Sequence, residues 1–154
     1  MVIDESVIGR ELPSFTVELE RGRVRLFAEV IGDDNPVFTD LDAARAAGHP
    51  DLPVPPTFLF GFVLEGAKST QWLDDLGIDL GNVLHAEQSF TYHDTAHAGD
   101  VLVYRPRIAD TFEKKGGALR FVVREISVTR EDGSPVVDLR DSIAVVRPAP
   151  ADAR

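Results

Sequence analysis

The side chains that could carry acid–base chemistry in this sequence lie in one loop and one strand. The loop, Gly-Asp-Asp-Asn-Pro-Val-Phe at residues 32–38, offers the carboxylate of Asp33 and the carboxamide of Asn35. Further on, His85 and Glu87 stand two positions apart in an alternating segment, so a regular strand would place both on one face. A carboxylate can orient an imidazole for proton transfer. The same residue types equally fit a helix end with its turn, and a histidine in a cross-strand hydrogen bond.

The composition excludes several other chemistries. The 154 residues contain no cysteine, which rules out disulfides, thiolate zinc sites and cysteine nucleophiles. The formal net charge of −10 is unsuited to neutralising a phosphate backbone, so we expect no nucleic-acid partner. His93 and His97 have the spacing of helical metal ligands but fall at the end of a predicted strand. We therefore expect no metal site, and we also expect no cofactor.

The sequence also predicts the cellular location and the domain organisation of the protein. Asp4 and Glu5 stand where a signal peptide needs basic residues, and the longest apolar run, at 58–64, is too short to cross a bilayer. We therefore expect no membrane contact and a cytoplasmic location. We expect one domain over residues 1–148 and a flexible tail over residues 149–154.

Three helices are predicted in the first half of the chain. Apolar residues at three- and four-residue spacing predict a helix over residues 20–31. Asp40 is a typical N-cap for a short helix over 41–47. A proline-rich stretch leads to the longest predicted helix, over residues 57–73, with Pro56 at its first position. The first half of that helix is apolar on every side, which is typical of a helix covered by a sheet.

The second half of the chain is predicted to form strands. Alternating or continuous apolar segments occur at residues 84–93, 101–108, 119–129 and 136–146. Short turns join the last three segments, so these strands must be antiparallel. The predicted fold class is therefore α+β, with an antiparallel sheet around one long helix.

Several of these segments resemble a known family. Residues 32–37 resemble the Gly-Asp-x-Asn-Pro-aliphatic signature of the MaoC-like hydratases and dehydratases, hotdog-fold enzymes that act on acyl thioesters. The Ala-Ala-x-x-x-Gly element at 43–48 and the Pro-Pro-Thr-Phe run at 55–58 are similar to the family's overhanging segment and its entry to the central helix. Leu-His-Ala-Glu-Gln-x-Phe-x-Tyr at 84–92, followed by Ala-Gly-Asp at 98–100, resembles the N-terminal, fatty-acid-synthase-type dehydratase branch. The resemblance implies a single hotdog domain.

The resemblance also implies a reaction, the reversible addition of water to a trans-2-enoyl thioester of coenzyme A or acyl carrier protein, which gives an (R)-3-hydroxyacyl thioester. In the family, an Asp and a His on this loop share the water. Asp33 matches that Asp and Asn35 matches the motif's Asn, but Phe38 stands at the His position and cannot accept a proton. Two alternatives follow. Either His85 completes a homodimeric enzyme, or a partner hotdog chain carries the catalytic pair and this chain holds the acyl tail.

Substrate contacts are implied by the same resemblance. The thioester oxygen is expected to meet the amides of Thr57 and Phe58, which follow Pro56 at the start of the central helix. Phe38 and Phe62 are expected to contact the acyl group, although an aromatic residue on a buried helix is equally a core residue.

Two further readings stay open at this stage. Lys114 and Lys115 form a compact basic patch, which could meet the phosphates of coenzyme A or simply flank a hairpin. A hotdog thioesterase is a third possible function, in which Glu65 activates water for hydrolysis. The Gly-Asp-x-Asn-Pro string has no role in that reaction.

Overall fold

Five strands and four α-helices make up the part of the chain that the computed structural model describes, residues 5–65 and 69–146. The strands are β1 (Phe15–Glu18), β2 (Val83–Tyr92), β3 (Val101–Lys114), β4 (Leu119–Arg130) and β5 (Pro135–Val146). The helices are α1 (Arg21–Ile31), α2 (Leu41–Ala46), α3 (Phe58–Gly61) and α4 (Gln71–Asp75). The predicted α+β class is confirmed.

The strands form one antiparallel sheet in the order β1-β3-β4-β5-β2, so β2 lies at one edge. The longest hairpin joins β3 to β4, with Leu102 opposite Arg130 and Lys114 opposite Leu119. β3 continues beyond its predicted end at residue 108 because a bulge between Ile108 and Asp110 lets the pairing resume.

The main core lies between the helices and one face of the sheet. Val24 and Ala28 of α1 are fully buried, as the predicted apolar stripe requires. Tyr104 and Ile126 project from the sheet into the same cluster. A second buried cluster surrounds Trp72 of α4 and contains side chains of β3, β4 and β5. The helices are thus fixed by one continuous sheet face.

The prediction of one long helix over residues 57–73 is wrong. Helix α3 has only four residues, a 3₁₀ turn follows it, and the backbone of Glu65 is extended (φ −92°, ψ 154°). Residues 66–68 of that prediction lie outside the described residues. Continuation of an α-helix would need the Leu59 carbonyl as an internal acceptor. That carbonyl also accepts a hydrogen bond from the Tyr104 hydroxyl (3.0 Å), which fixes the end of the short helix to β3.

The start of this helix also differs from the prediction. Pro56 is not its first residue, because Thr57 adopts a left-handed backbone (φ 73°) before α3 begins at Phe58. The predicted tail at 149–154 lies outside the described residues. Among the described residues, no helix is long and apolar enough to cross a bilayer.

Candidate active site

The loop at residues 32–38 is built from two successive side-chain-to-backbone turns. Helix α1 ends at Gly32, which takes the left-handed conformation (φ 71°) that glycine adopts most readily. Oδ1 of Asp33 accepts a hydrogen bond from the Asn35 N–H (3.0 Å), and Oδ1 of Asn35 accepts one from the Val37 N–H (3.1 Å). Asn35 thereby caps the 3₁₀ turn Pro36–Phe38. Both motif side chains therefore shape the loop that carries them.

Helix α1 positions this loop against the rest of the protein. Nε of Arg25 donates a hydrogen bond to the Thr39 carbonyl (2.8 Å), just past the 3₁₀ turn. The ring of Phe27 stacks on Phe58 of α3, with centroids 4.5 Å apart. The half-buried Phe38 ends the turn, where the family's histidine would stand. Within the described residues, no hydrogen bond joins Asp33 to any histidine.

The structure separates His85 from the carboxylate that was predicted to orient it. His85 pairs with Ile143 and Glu87 pairs with Ser142, and a bulge lies between the two positions. Directly opposed residues share a face, so His85 points to the helix-covered side and Glu87 to the other. The His85 ring stacks on Phe60 (5.2 Å between centroids, 15° between planes). The predicted His85–Glu87 arrangement is wrong, and His85 is left without this carboxylate.

The amides predicted to bind the thioester oxygen already have partners. The Thr57 N–H donates to the hydroxyl of Tyr92 (3.0 Å), and the Phe58 N–H donates to the Pro55 carbonyl (3.3 Å). A helix of four residues also has a weak dipole, so its start offers little charge stabilisation. Pro56 is exposed and lines a cleft of about 460 Å³ together with Tyr92.

Tyr92 is the residue in this region that the sequence reasoning missed. It closes the Leu-His-Ala-Glu-Gln-x-Phe-x-Tyr string, where it contributed only to the resemblance. It is 48% exposed on the edge strand, and its ring stacks on Phe90 (5.8 Å). The sequence signal that could have indicated Tyr92 was its position at the end of that string.

Of the two aromatic side chains expected to contact the acyl group, Phe62 is a core residue, whereas Phe38 is half-buried at the end of the 3₁₀ turn. Phe58 and Phe62 are 7% and 2% exposed, and their rings lie 4.9 Å apart. The guanidinium of Arg23 lies over the Phe62 ring (4.5 Å) and forms an ion pair with Glu65. A separate cavity of about 360 Å³ has a mainly apolar exposed wall and includes Trp72, but Phe38, Phe58 and Phe62 do not line it.

The two predicted phosphate-binding lysines lie at the β3–β4 hairpin. The Lys114 ammonium is 5.4 Å from the Phe112 ring centroid and 5.0 Å from that of Phe121, and Lys115 occupies the turn with φ 53°. Both side chains are exposed. No contact recorded among the described residues joins them to the loop at 32–38.

The three remaining histidines make two side-chain contacts, one with an aspartate and one between two histidines. Nε2 of His93 lies 2.8 Å from Oδ2 of Asp138. Nδ1 of His49 lies 3.1 Å from Nε2 of His97, and burial lowers the pKa of His97. In the described ranges, no group of three or more potential ligands is placed to hold a metal ion.

Two solved heteromeric structures from Mycobacterium tuberculosis share this fold. A chain of the C-terminally truncated HadBC (3R-hydroxyacyl-ACP dehydratase) complex matches with a TM-score of 0.76 at 22% identity, over 92% of this chain and 99% of that chain. A chain of the ChsH1–ChsH2 complex matches with a TM-score of 0.72 at 24% identity, over 90% of each. The fold is the hotdog fold of hydratases and dehydratases.

Sequence comparison then gives the family. Residues 6–139 match the model of the FAS1-like dehydratase domain region. The UPF0336 protein of Streptomyces avermitilis is 35% identical over 144 residues, which is 93% of this chain and 85% of that protein. The chain belongs to the FAS1-like dehydratase domain family, and the resemblance drawn from its motifs is confirmed.

Proposed function

We propose that this chain is one subunit of a hydro-lyase that interconverts trans-2-enoyl and (R)-3-hydroxyacyl thioesters of coenzyme A or acyl carrier protein, and that a second hotdog chain supplies the complete Asp–His pair. The observation that carries the proposal is the loop at residues 32–38. It retains the family's turn, held by Asp33 and Asn35, but presents Phe38 in place of the proton-transferring histidine.

The chemistry explains why the loop is incomplete by itself. Dehydration removes a proton from the carbon next to the thioester carbonyl and protonates the departing 3-hydroxyl group, and hydration reverses both transfers. The two transfers need a positioned base and acid. Asp33 can accept a hydrogen bond from water, whereas the ring of Phe38 cannot move a proton. His85 lies against Phe60 without its predicted carboxylate, so it is a weaker substitute.

The edge strand β2 supports a partner chain. It spans ten residues at the edge of the described sheet, with Leu84 60% exposed and Tyr92 48% exposed. It contains neither lysine nor proline, the residues that commonly protect an edge from pairing. The HadBC and ChsH1–ChsH2 structures are complexes by their names, which supports a heteromer for this chain as well.

Two other activities are less well supported. A homodimeric hydratase would rest on His85, which at least shares the helix-covered face of the sheet with Phe60. A thioesterase would need Glu65 as its base, but Arg23 already holds that carboxylate in an ion pair.

The test is a turnover assay with crotonyl-CoA, in which loss of the enoyl absorbance reports hydration. We expect no turnover by the purified chain alone, and turnover when it is co-purified with a hotdog chain of the same organism that carries Gly-Asp-x-Asn-Pro-x-His. The partner alone is the control. Turnover by the chain alone, abolished by His85→Ala, would establish the homodimer instead. Release of free thiol would indicate a thioesterase.

A further inference from the structure

A pair of histidines joins two segments that are distant in sequence. His49 lies in the segment at residues 48–56, between α2 and α3, and His97 lies in the turn between β2 and β3. Their ring centroids are 5.3 Å apart, and Nδ1 of His49 is 3.1 Å from Nε2 of His97. At this distance one nitrogen must donate and the other must accept, so the contact holds a single shared proton.

The same two segments are also paired through their backbones. The Val54 N–H donates to the Ala96 carbonyl (2.8 Å), and the Ala98 N–H donates to the Leu52 carbonyl (2.9 Å). The cleft of about 460 Å³ lies directly beside this pairing, with walls from both segments. Separation of the two segments would therefore widen the cleft.

Charged groups lie in the two segments and in α1, α2 and β4, and the carboxylates among them are already paired with arginines. In the first segment, Asp51 is held by Arg21 of α1 (2.6 Å), which lowers the pKa of Asp51 to about 2. In the turn, Asp94 and Asp100 are held by Arg130 of β4 (2.8 and 3.2 Å). Arg45 of α2 also acts on Asp51 electrostatically.

These pairings leave little to neutralise a second positive charge on the rings. Asp100 does act on His97 electrostatically, but its Oδ2 accepts hydrogen bonds from the backbone N–H of His97 (3.1 Å) and from Arg130, not from the His97 ring. Burial is the largest influence on His97 and lowers its pKa, and His49 and Arg130 act in the same direction.

We propose that the His49–His97 pair is a pH-sensitive contact, which keeps the segment at 48–56 against the β2–β3 turn while at least one of the two rings is neutral and releases it when both rings are protonated. Relative to two neutral rings, two protons come from solvent: the first can make the donor ring an imidazolium that still donates, and the second occupies the nitrogen that accepted the hydrogen bond. This breaks the contact and sets two like charges on adjacent rings. The inference does not depend on the proposed catalytic activity.

The direction of the effect follows from proton counting. Relative to two neutral rings, the closed arrangement can bind at most one added proton and the open arrangement can bind two, so strong enough acidification favours opening. The closed contact is fully present above the ordinary histidine pKa of about 6.5 and weakens as the pH falls below it. Cleft access is therefore greater at mildly acidic pH.

Hydrogen exchange of the full chain measures the opening locally. The probes are the amides of Val54 and Ala98, compared with amides in β4 and β5, as protection factors at about pH 7.5 and about pH 5.5. We expect protection of the two probes to fall at least about fivefold on acidification, the lower limit for two charges about 4 Å apart in water. The strand amides should change much less.

Variants distinguish the pair from a general effect of acid. His97→Gln and His49→Gln each remove one titrating ring, so either should abolish most of the pH-dependent loss of protection. His93→Gln removes a histidine from the same turn that pairs with Asp138, and it should retain the pH dependence. Unchanged protection of the wild type between the two pH values would overturn the proposal, as would an undiminished pH effect in either pair variant.

Discussion

Two carboxylates in this protein show how differently a charge can be fixed. Asp33 lies half-buried in the loop at 32–38 and accepts a hydrogen bond from a backbone N–H two residues further on. Asp141 is 2% exposed in β5, and both of its oxygens accept hydrogen bonds from the buried Arg124. The Arg124 guanidinium also lies 4.5 Å from the Trp72 ring centroid. Asp33 is therefore held by its own loop, whereas the position of Asp141 depends on β5, β4 and α4 together.

The difference predicts unequal contributions of the two carboxylates to stability. The local turn should make Asp33 tolerant of substitution, because the hydrogen bond that it accepts comes from a backbone N–H only two residues away. The pair of Arg124 and Asp141 sits where the two core clusters meet, between the Ile126–Leu139 and Val122–Ile143 cross-strand pairs. A change there exposes an unpaired charge to a low-dielectric interior. Substitutions in the two regions should therefore change the free energy of unfolding by different amounts.

The largest effect is expected at the buried pair. Asp141→Ala should lower the free energy of unfolding by about 3–5 kcal/mol, because it leaves Arg124 buried without its partner. Urea denaturation followed by circular dichroism measures the change. Asp138→Ala, on the exposed face of the same strand, is the matched control and should cost less than about 1 kcal/mol. Similar losses in the two variants would contradict the distinction between the regions.

A smaller effect is expected where Asn35 caps the 3₁₀ turn. Asn35→Ala removes the acceptor for the Val37 N–H and should cost about 1 kcal/mol in urea denaturation. The neighbouring Asp34 is exposed, and Asp34→Ala should change stability by less than about 0.5 kcal/mol. A loss above about 3 kcal/mol for Asn35→Ala would place the loop in the same class as the buried pair.

The same contrast explains what the sequence could predict. Turn chemistry depends on neighbours in sequence, so Gly32 at the end of α1 and Asp40 as the N-cap of α2 were predictable, and both are confirmed. The end of α3 involves Tyr104, a residue 45 positions away from Leu59, and no local pattern indicates it. The bulge that turns Glu87 away from the face of His85 depends on pairing with β5. The turns around the loop at 32–38 were therefore predictable from the sequence, and the long-range contacts of α3 and β2 were not.

A gain in stability is expected at the strained residue before α3. Thr57 is β-branched and adopts φ 73°, a conformation unfavourable for L-residues by about 1–2 kcal/mol. Thr57→Gly relieves that strain but increases the entropy of the unfolded chain, so the net gain should be roughly 0.5–1 kcal/mol. Thr39 has φ −124°, so Thr39→Gly gains nothing in the folded state and should destabilise the protein. Loss of stability in Thr57→Gly would contradict this account.

The smallest effect is expected at Asp33 itself. Asp33→Asn keeps an oxygen that can accept the Asn35 N–H, so its free energy of unfolding should change by less than about 0.5 kcal/mol. The substitution removes the charge that a catalytic base would need. In the heteromer with a chain carrying the complete Asp–His pair, we expect the hydration rate with crotonyl-CoA to stay within about twofold. The equivalent Asp→Asn change in the partner should lower that rate by about 10²–10⁴-fold. Equal losses from the two substitutions would mean that both loops transfer protons, because a carboxylate that serves only its own turn has no effect on the rate once the turn is preserved.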